Sequence, residues 1–381
     1  MNRIKKFILI LILCLTPLIL TSCWDYSEIE NVLTVLSLGI DKDVVTNEYI
    51  LTIEVVDIFP SSEELQPFLV EAKGKTIFEA IRSFINITGK KNSLAHCECF
   101  IIGKSAIDDG IVPLLDLIER DVELRSDAYF FLTNTFTASE LMKDSSDRGE
   151  LISSQVIQYT TSNGFNGEFA LTRAYEIVDK LESEGIDPVI SNMALETSEY
   201  EVLNVIKGLY TVYKENVSGY LTPTETKFFN LLTNNKLKSL FSISSPEGDY
   251  IVFELIRAHS TIKPKLINNE IRMNINCTLD AVISEIEGNS KNYLLKEERI
   301  KIVTLAEEQC NKDIDDLIYK IQNEFNSDIL GFGKKISQLY PKEWDSLKEN
   351  WHKEYPKIGY EIDVNINLRG SALRKSVIKG R

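Results

Sequence analysis

Ile271, Met273, Ile275, Cys277, Leu279, Ala281 and Ile283 alternate with Arg272, Asn274, Asn276, Thr278 and Asp280. Side chains of a strand point to opposite faces with period two, so this run is a long antiparallel strand with one dry face and one polar face. A dry face has to be covered. Downstream, Ile300, Val303, Ala306, Cys310, Ile314, Leu317, Ile321 and Phe325 recur at steps of three and four, with charged residues opposite. That is the pattern of a long amphipathic helix able to lie on the strand. Ile362, Val364, Ile366 and Leu368 then alternate with Asp363, Asn365 and Asn367 as a closing strand. The spacing predicts an antiparallel sheet packed by helices on one face, an α+β architecture.

The first half has a different texture. Val32–Ile40 and Tyr49–Val56 read as strands joined by a polar turn. Thr76-Ile77-Phe78-Glu79 is a capping box opening a helix through Ala80, Ile81 and Phe84, which Gly89 ends. Strands over Leu94–Ile102 and Asp127–Thr133, a helix over Ile111–Arg120 and a second capping box at Thr137–Glu140 follow. Helices near Ser153–Thr160 and Leu171–Glu184 lead to a boundary around Gly185–Pro188. A mixed α/β domain is expected over residues 23–195 and an α+β domain over residues 206–375, with a further division near residue 245 left open.

The N-terminus constrains location. Arg3, Lys5 and Lys6 precede an apolar stretch from Phe7 to Leu20. It is shorter than the roughly 20 residues a helix needs to span a bilayer, and Pro17 interrupts it. Leu20-Thr21-Ser22-Cys23 closes it in the form of a bacterial lipoprotein processing site. Residues 1–22 are then a signal peptide, and Cys23 is the lipidated N-terminus of the mature chain. An uncleaved anchor, or an ordinary signal peptide with a chance cysteine, is the alternative. Trp24 and Asp25 lie beside the lipid, placed either to sit at the membrane interface or to pack against protein.

Charge and cysteines exclude other roles. The net charge is −15, and losing the three basic residues of the signal peptide makes it about −18, so nucleic acid is not held through a general basic field. Cys97, Cys99, Cys277 and Cys310 remain in the mature chain. Cys97 and Cys99, two apart in a strand-like run, would share a face at a separation too long for a relaxed disulfide. They read as buried thiols, and the disulfide state of Cys277 and Cys310 is left open. His96, His259 and His352 have no patterned partners. No nucleophile elbow, zinc-protease helix, phosphate loop or dinucleotide fingerprint is present. The expectation is no catalytic residue, no metal and no cofactor.

Four blocks of residues resemble one family. They are Cys23-Trp24-Asp25 with Glu28-Ile29-Glu30 and Leu38-Gly39-Ile40-Asp41; His96 through Ile101-Ile102-Gly103, then Gly110-Ile111, with Arg120-Asp121 and Arg125; Gly208-Leu209 with Gly219-Tyr220-Leu221 and Glu225; and Ser327 to Gly333 with Tyr340-Pro341, Trp344, Trp351 and Arg369-Gly370. Together these are similar to the C-subunit lipoproteins of nutrient-germinant receptors in endospore-forming bacteria, the Ger(x)C family. The resemblance implies a non-enzymatic subunit, lipid-anchored on the outer face of the spore inner membrane. It would assemble with two polytopic partners, the A and B subunits. Direct contact with a nutrient is left open. Two other classes stand beside it: a lipid-anchored solute-binding protein, which needs a cleft between lobes, and an envelope hydrolase using paired carboxylates.

Overall fold

The structure, a computed structural model, describes residues 4–7, 31–57, 67–108, 110–162, 166–197, 199, 202–235, 238–268, 270–288, 293 and 295–371. Cys23, Trp24 and Asp25 lie outside them. Thirteen strands form two sheets among these residues. The first sheet contains β1 (Val32–Lys42), β2 (Tyr49–Val56), β3 (Pro67–Gly74), β4 (Lys91–Ser93), β5 (Cys99–Ile102), β6 (Tyr129–Thr133), β7 (Val189–Thr197), β8 (Val202–Tyr213) and β9 (Asn216–Leu221). Their order is β3-β2-β1-β5-β6-β7-β8-β9, with β4 beside β1. The centre (β1, β5, β6, β7) is parallel and both flanks are antiparallel.

Each face of this sheet has its own core. On one side α1 (Ile77–Thr88), α2 (Val112–Arg120) and α5 (Ala174–Glu182) pack on Leu38, Ile40, Phe100 and Phe130. On the other, α3 (Ala138–Asp147) and α4 (Ile152–Ser162) pack on Ile101 and Phe131. The capping boxes behave as their sequences require. Thr76 accepts from Glu79 N at 3.1 Å, and Thr137 from Glu140 N at 3.2 Å.

Two buried carboxylates lock the second face. Asp41 accepts from Ala138 N at 2.7 Å and Ser139 N at 3.0 Å, the first N–H groups of α3. Ser105 Oγ donates to it at 3.3 Å. Burial pushes Asp41 above the usual carboxylate range, and these donors oppose that shift. Glu54 caps α4, accepting from Ile152 N at 2.9 Å, Ser153 N at 3.3 Å and Ser37 Oγ at 2.8 Å. A helix N-terminus leaves N–H groups unpaired and carries partial positive charge, so a carboxylate satisfies both needs at once. The fit is close: a Cβ at Gly103 would stand 1.9 Å from Asp41 Oδ1.

In the second half α6 (Pro223–Leu232) precedes the second sheet, β10 (Leu240–Ser244), β11 (Tyr250–Ile267), β12 (Glu270–Glu287) and β13 (Gly359–Ser371), in that order. The alternating run is the interior of β12, with Met273, Ile275, Cys277, Leu279, Ala281 and Ile283 all buried. The long helix is α7 (Lys296–Tyr319), followed by a π-helical turn over Lys320–Glu324. The buried face of α7 begins at Ile302, whereas Ile300 is exposed. Two further helices, α8 (Phe332–Leu339) and α9 (Pro341–Leu347), lead to β13.

Three expectations change. The second sheet is not wholly antiparallel: β13 pairs parallel to β12. The chain leaves β12, crosses the dry face through α7 and returns to the same end, and such a crossover makes the strands parallel. Cys97 and Cys99 do not share a face. Residues 94–97 form a turn closed by Cys97 N donating to Leu94 O, so Cys97 packs with one core and Cys99 with the other. The hairpin β8–β9 belongs to the first sheet, which therefore runs to Leu221. Cys97, Cys99, Cys277 and Cys310 are all free and buried.

Asp41→Ala removes three hydrogen bonds and leaves two N–H groups of α3 buried and unpaired. The expected loss of unfolding free energy in urea is about 2–4 kcal/mol. Asp116→Ala, which deletes only an exposed pair with Arg120, should change it by less than about 1 kcal/mol.

Candidate functional site

Two turns from opposite halves of the chain meet at one place. The first is Gly185-Ile186-Asp187-Pro188, which connects α5 to β7. The second is Asn326 to Gly331, between the π-helical turn and α8. They touch backbone to backbone: a Cβ on Gly185, whose φ is +70°, would lie 2.5 Å from Gly333 C. Only glycine permits that approach with that backbone. Lys334 N donates to Gly185 O at 2.7 Å.

Asp187 and Asp328 cross-brace the turns. Asp187 N donates to Asp328 O at 3.0 Å, and Asp328 N donates to Asp187 Oδ2 at 2.6 Å. The Asp328 carboxylate then accepts from Phe332 N and Gly333 N, each at 2.8 Å, and from Trp351 Nε1 at 3.1 Å. It caps α8 as Asp41 and Glu54 cap their helices. Burial pushes Asp328 up to about 7 and Asp187 up to about 6, in each case against the N–H groups that favour the ionised form.

Aromatic residues close the junction. Phe332 is fully buried with its ring 5.9 Å from Tyr355. Trp344 meets Trp351 edge-on at 5.0 Å, and its Nε1 donates to Glu184 Oε2 at 2.9 Å across to the other lobe. Beside this cluster opens a cleft of about 380 Å³, lined among others by Lys180, Asp187, Tyr213, Asn326, Trp351 and Tyr355. Lys180, half-buried, has its pKa lowered by that burial.

The residues singled out in the sequence fall into two groups. Ser327 to Gly333, Trp344 and Trp351 come together here, with Trp344 as core and Trp351 on the cleft wall. His352 also reaches the cleft, whereas His96 and His259 are exposed and do not line it. The others are structural. Arg120 pairs with Asp116, Arg125 with Asp127 and Glu98, Glu225 with Lys320, and Arg369 with Asp280. Asp187, Lys180 and Tyr355 carried no sequence signal of their own. The nearest hint was Gly185 and Pro188 bracketing Asp187. Among the described residues no group of three His, Cys, Asp or Glu side chains could hold a metal ion.

Two family models match the chain. Residues 25–195 match the family described as spore germination protein N-terminal domain. Residues 208–372 match that described as spore germination B3/GerAC like, C-terminal. The chain belongs to the GerAC family of spore germination proteins. Spore germination protein B3 of Bacillus subtilis (strain 168) is 22% identical over 361 residues, covering 92% of this chain and 94% of its own. Spore germination protein KC of the same organism is 21% identical over 409 residues, covering 99% and 98%. A crystal structure of the GerBC protein shares the fold with a TM-score of 0.56 at 16% identity, over 87% of this chain and 96% of that one. The mixed α/β architecture with two sheets is thus the architecture of a GerAC family member.

The raised pKa of Asp187 has a definite sign. A carboxyl raised from 3.8 in the unfolded chain to about 6 in the fold stabilises fully below the lower value and loses that contribution as pH rises through the upper one. Unfolding free energy should therefore decline between about pH 4 and pH 6 on this account, and Asp187→Asn should flatten that slope in urea titrations run across the window. A slope identical in both proteins would remove Asp187 from the balance.

Proposed function

We propose that this GerAC family protein is the lipid-anchored, non-enzymatic C subunit of a spore germinant receptor. It is held by Cys23 at the outer face of the spore inner membrane and assembles with integral-membrane A and B subunits in nutrient-triggered germination. The observation that carries this reading is the family match over both lobes, from residue 25 to residue 372. It begins two residues after the cysteine that closes the apolar N-terminal segment. Among the described residues no helix is long and apolar enough to cross a membrane. Attachment is assigned to acyl chains, which hold stably when more than one is present.

The fold suits a scaffold. The described residues of the blocks that carry the family resemblance cap helices, pair across elements or brace the lobes, so they maintain a fixed shape rather than an array of reacting groups. Trp24 and Asp25, next to the lipid, are the proposed contacts with the membrane or with a membrane-embedded partner.

Cys23→Ala is expected to move the protein from the membrane fraction of spores to the soluble fraction, with the same urea midpoint after purification. Affinity capture of the parent from detergent-solubilised spore inner membrane should bring down two polytopic proteins. Retention of the variant in the membrane, or recovery of the parent alone from gently solubilised receptor, would contradict the proposal.

A further inference from the structure

The end of the first sheet at which β1 begins carries exposed apolar side chains from three elements. Ile85 and Ile87, in the last turn of α1, are 51% and 56% exposed. Val122, just after α2, is 99% exposed, and Tyr175, at the start of α5, is 46% exposed. Backbone and ion pairs hold these residues to one rim. Lys91 of β4 stands beside Val32 of β1, and its ammonium lies 3.4 Å from the carboxylate of Glu123, the neighbour of Val122. Gly89 N, two residues before Lys91, donates to Ile85 O, and Tyr175 N donates to Ser126 O, each at 2.9 Å. Single exposed apolar residues are ordinary on a surface, but a group of them around one rim marks a contact face.

The chain arrives at this same end from Cys23. Eight residue steps separate Cys23 from Asn31, a reach of at most about 28 Å when fully extended. The other end of β1 lies a further 11-residue strand away, about 33 Å. Acyl chains on Cys23 therefore bring this rim, and not the opposite one, close to a bilayer. The short tether also makes the contact effectively intramolecular, so a few side chains suffice where they could not hold a free protein.

Charge does not draw the rim to a membrane. Lys90 pairs with Asp57, Lys91 with Glu123, Arg120 with Asp116 and Arg125 with Asp127. Glu119 and Asp121 add negative charge. What the rim offers a bilayer is three aliphatic side chains and a tyrosine, a residue suited to the boundary between water and hydrocarbon.

We infer that this rim is the face the protein lays on the lipid bilayer. Ile85, Ile87 and Val122 enter the headgroup region, with Tyr175 at its boundary, through apolar contact rather than attraction to anionic lipid. The inference rests on the lipid anchoring at Cys23 proposed above, and adds which way the first lobe faces.

The test is fluorescence of the full lipidated protein in phosphatidylcholine vesicles, with an environment-sensitive label on one introduced cysteine. Cys97, Cys99, Cys277 and Cys310 are buried, so the label goes to Ile87→Cys, to Val122→Cys or, in the exposed turn beyond the other end of β1, to Val45→Cys. The labels on Ile87→Cys and Val122→Cys should shift to the blue. Spin-labelled lipid should quench them at least about twofold more than the label on Val45→Cys. Added phosphatidylglycerol or about 0.5 M salt should leave that difference unchanged. Val122→Asp should reduce the quenching at Ile87→Cys by about half or more, at an unchanged urea midpoint. Flotation of the protein with the vesicles reads the anchoring separately, and failure to float would overturn the anchoring and this inference with it. Protein that floats with all three labels equally open to water would leave the anchoring standing and overturn the inference. So would labels that reach lipid only in phosphatidylglycerol vesicles at low salt. Labels that shift to the blue without being quenched would also overturn it, because they would show a second protein copy on the rim.

Discussion

The junction of the lobes depends on Asp328. It accepts the N–H groups of Phe332 and Gly333 and the indole N–H of Trp351, while its own backbone is bonded in both directions to Asp187. A carboxylate buried to this degree is expensive to desolvate unless every lone pair finds a donor. The donors come from the start of α8 and from the segment that follows α9, and the turn of the opposite lobe is bonded to the backbone of the same residue. Neither donor segment can move away without stranding the charge. Gly185 and Gly333 make the arrangement sterically possible, because any side chain at either would hold the two turns apart.

The same device appears twice more in the first lobe. Asp41 and Glu54 lie on one face of the sheet and reach the N-termini of α3 and α4, which cover that face. In both of these a strand residue reaches a helix far along the chain, and sheet and helix are fixed together by hydrogen bonds as well as by apolar packing. Apolar packing alone tolerates sliding; a charge in a nest of N–H groups sets one register. The family blocks become intelligible in these terms. Leu38 to Asp41 and Ile101 to Gly103 are the two sides of the Asp41 nest, and Ser327 to Gly333 is the Asp328 nest with its approach.

Much of this fold was legible where one residue type repeats with a period. The alternation in β12, the helical spacing of α7 and the capping boxes at Thr76 and Thr137 each express a local rule, and each is where the sequence puts it. Strand β7 was not legible, because Val189 to Ala194 is buried on both faces and shows no alternation. The short β10 and the edge strand β3, with its leading proline, were also missed. The direction of β13 depends on the crossover, which periodicity does not report. The site was harder still. Asp187 and Asp328 are 141 residues apart and Asp41 and Ala138 are 97 apart, and nothing local marks an aspartate that will meet a distant helix end. The glycines and tryptophans of the last block pointed to the right segment, but the carboxylate among them had no visible role until its donors were placed.

The central claim is that the Asp187–Asp328 brace joins the two lobes into a single cooperative body, and native-state amide hydrogen exchange tests it most directly. If the claim holds, the amides of Asp187, Asp328, Phe332, Gly333 and Lys334 exchange only with global unfolding, at the same free energy and denaturant dependence as the buried amides of β1 and β12. Exchange of these five amides through a low-energy opening, while both sheets stay protected, would show two independently stable lobes and contradict it.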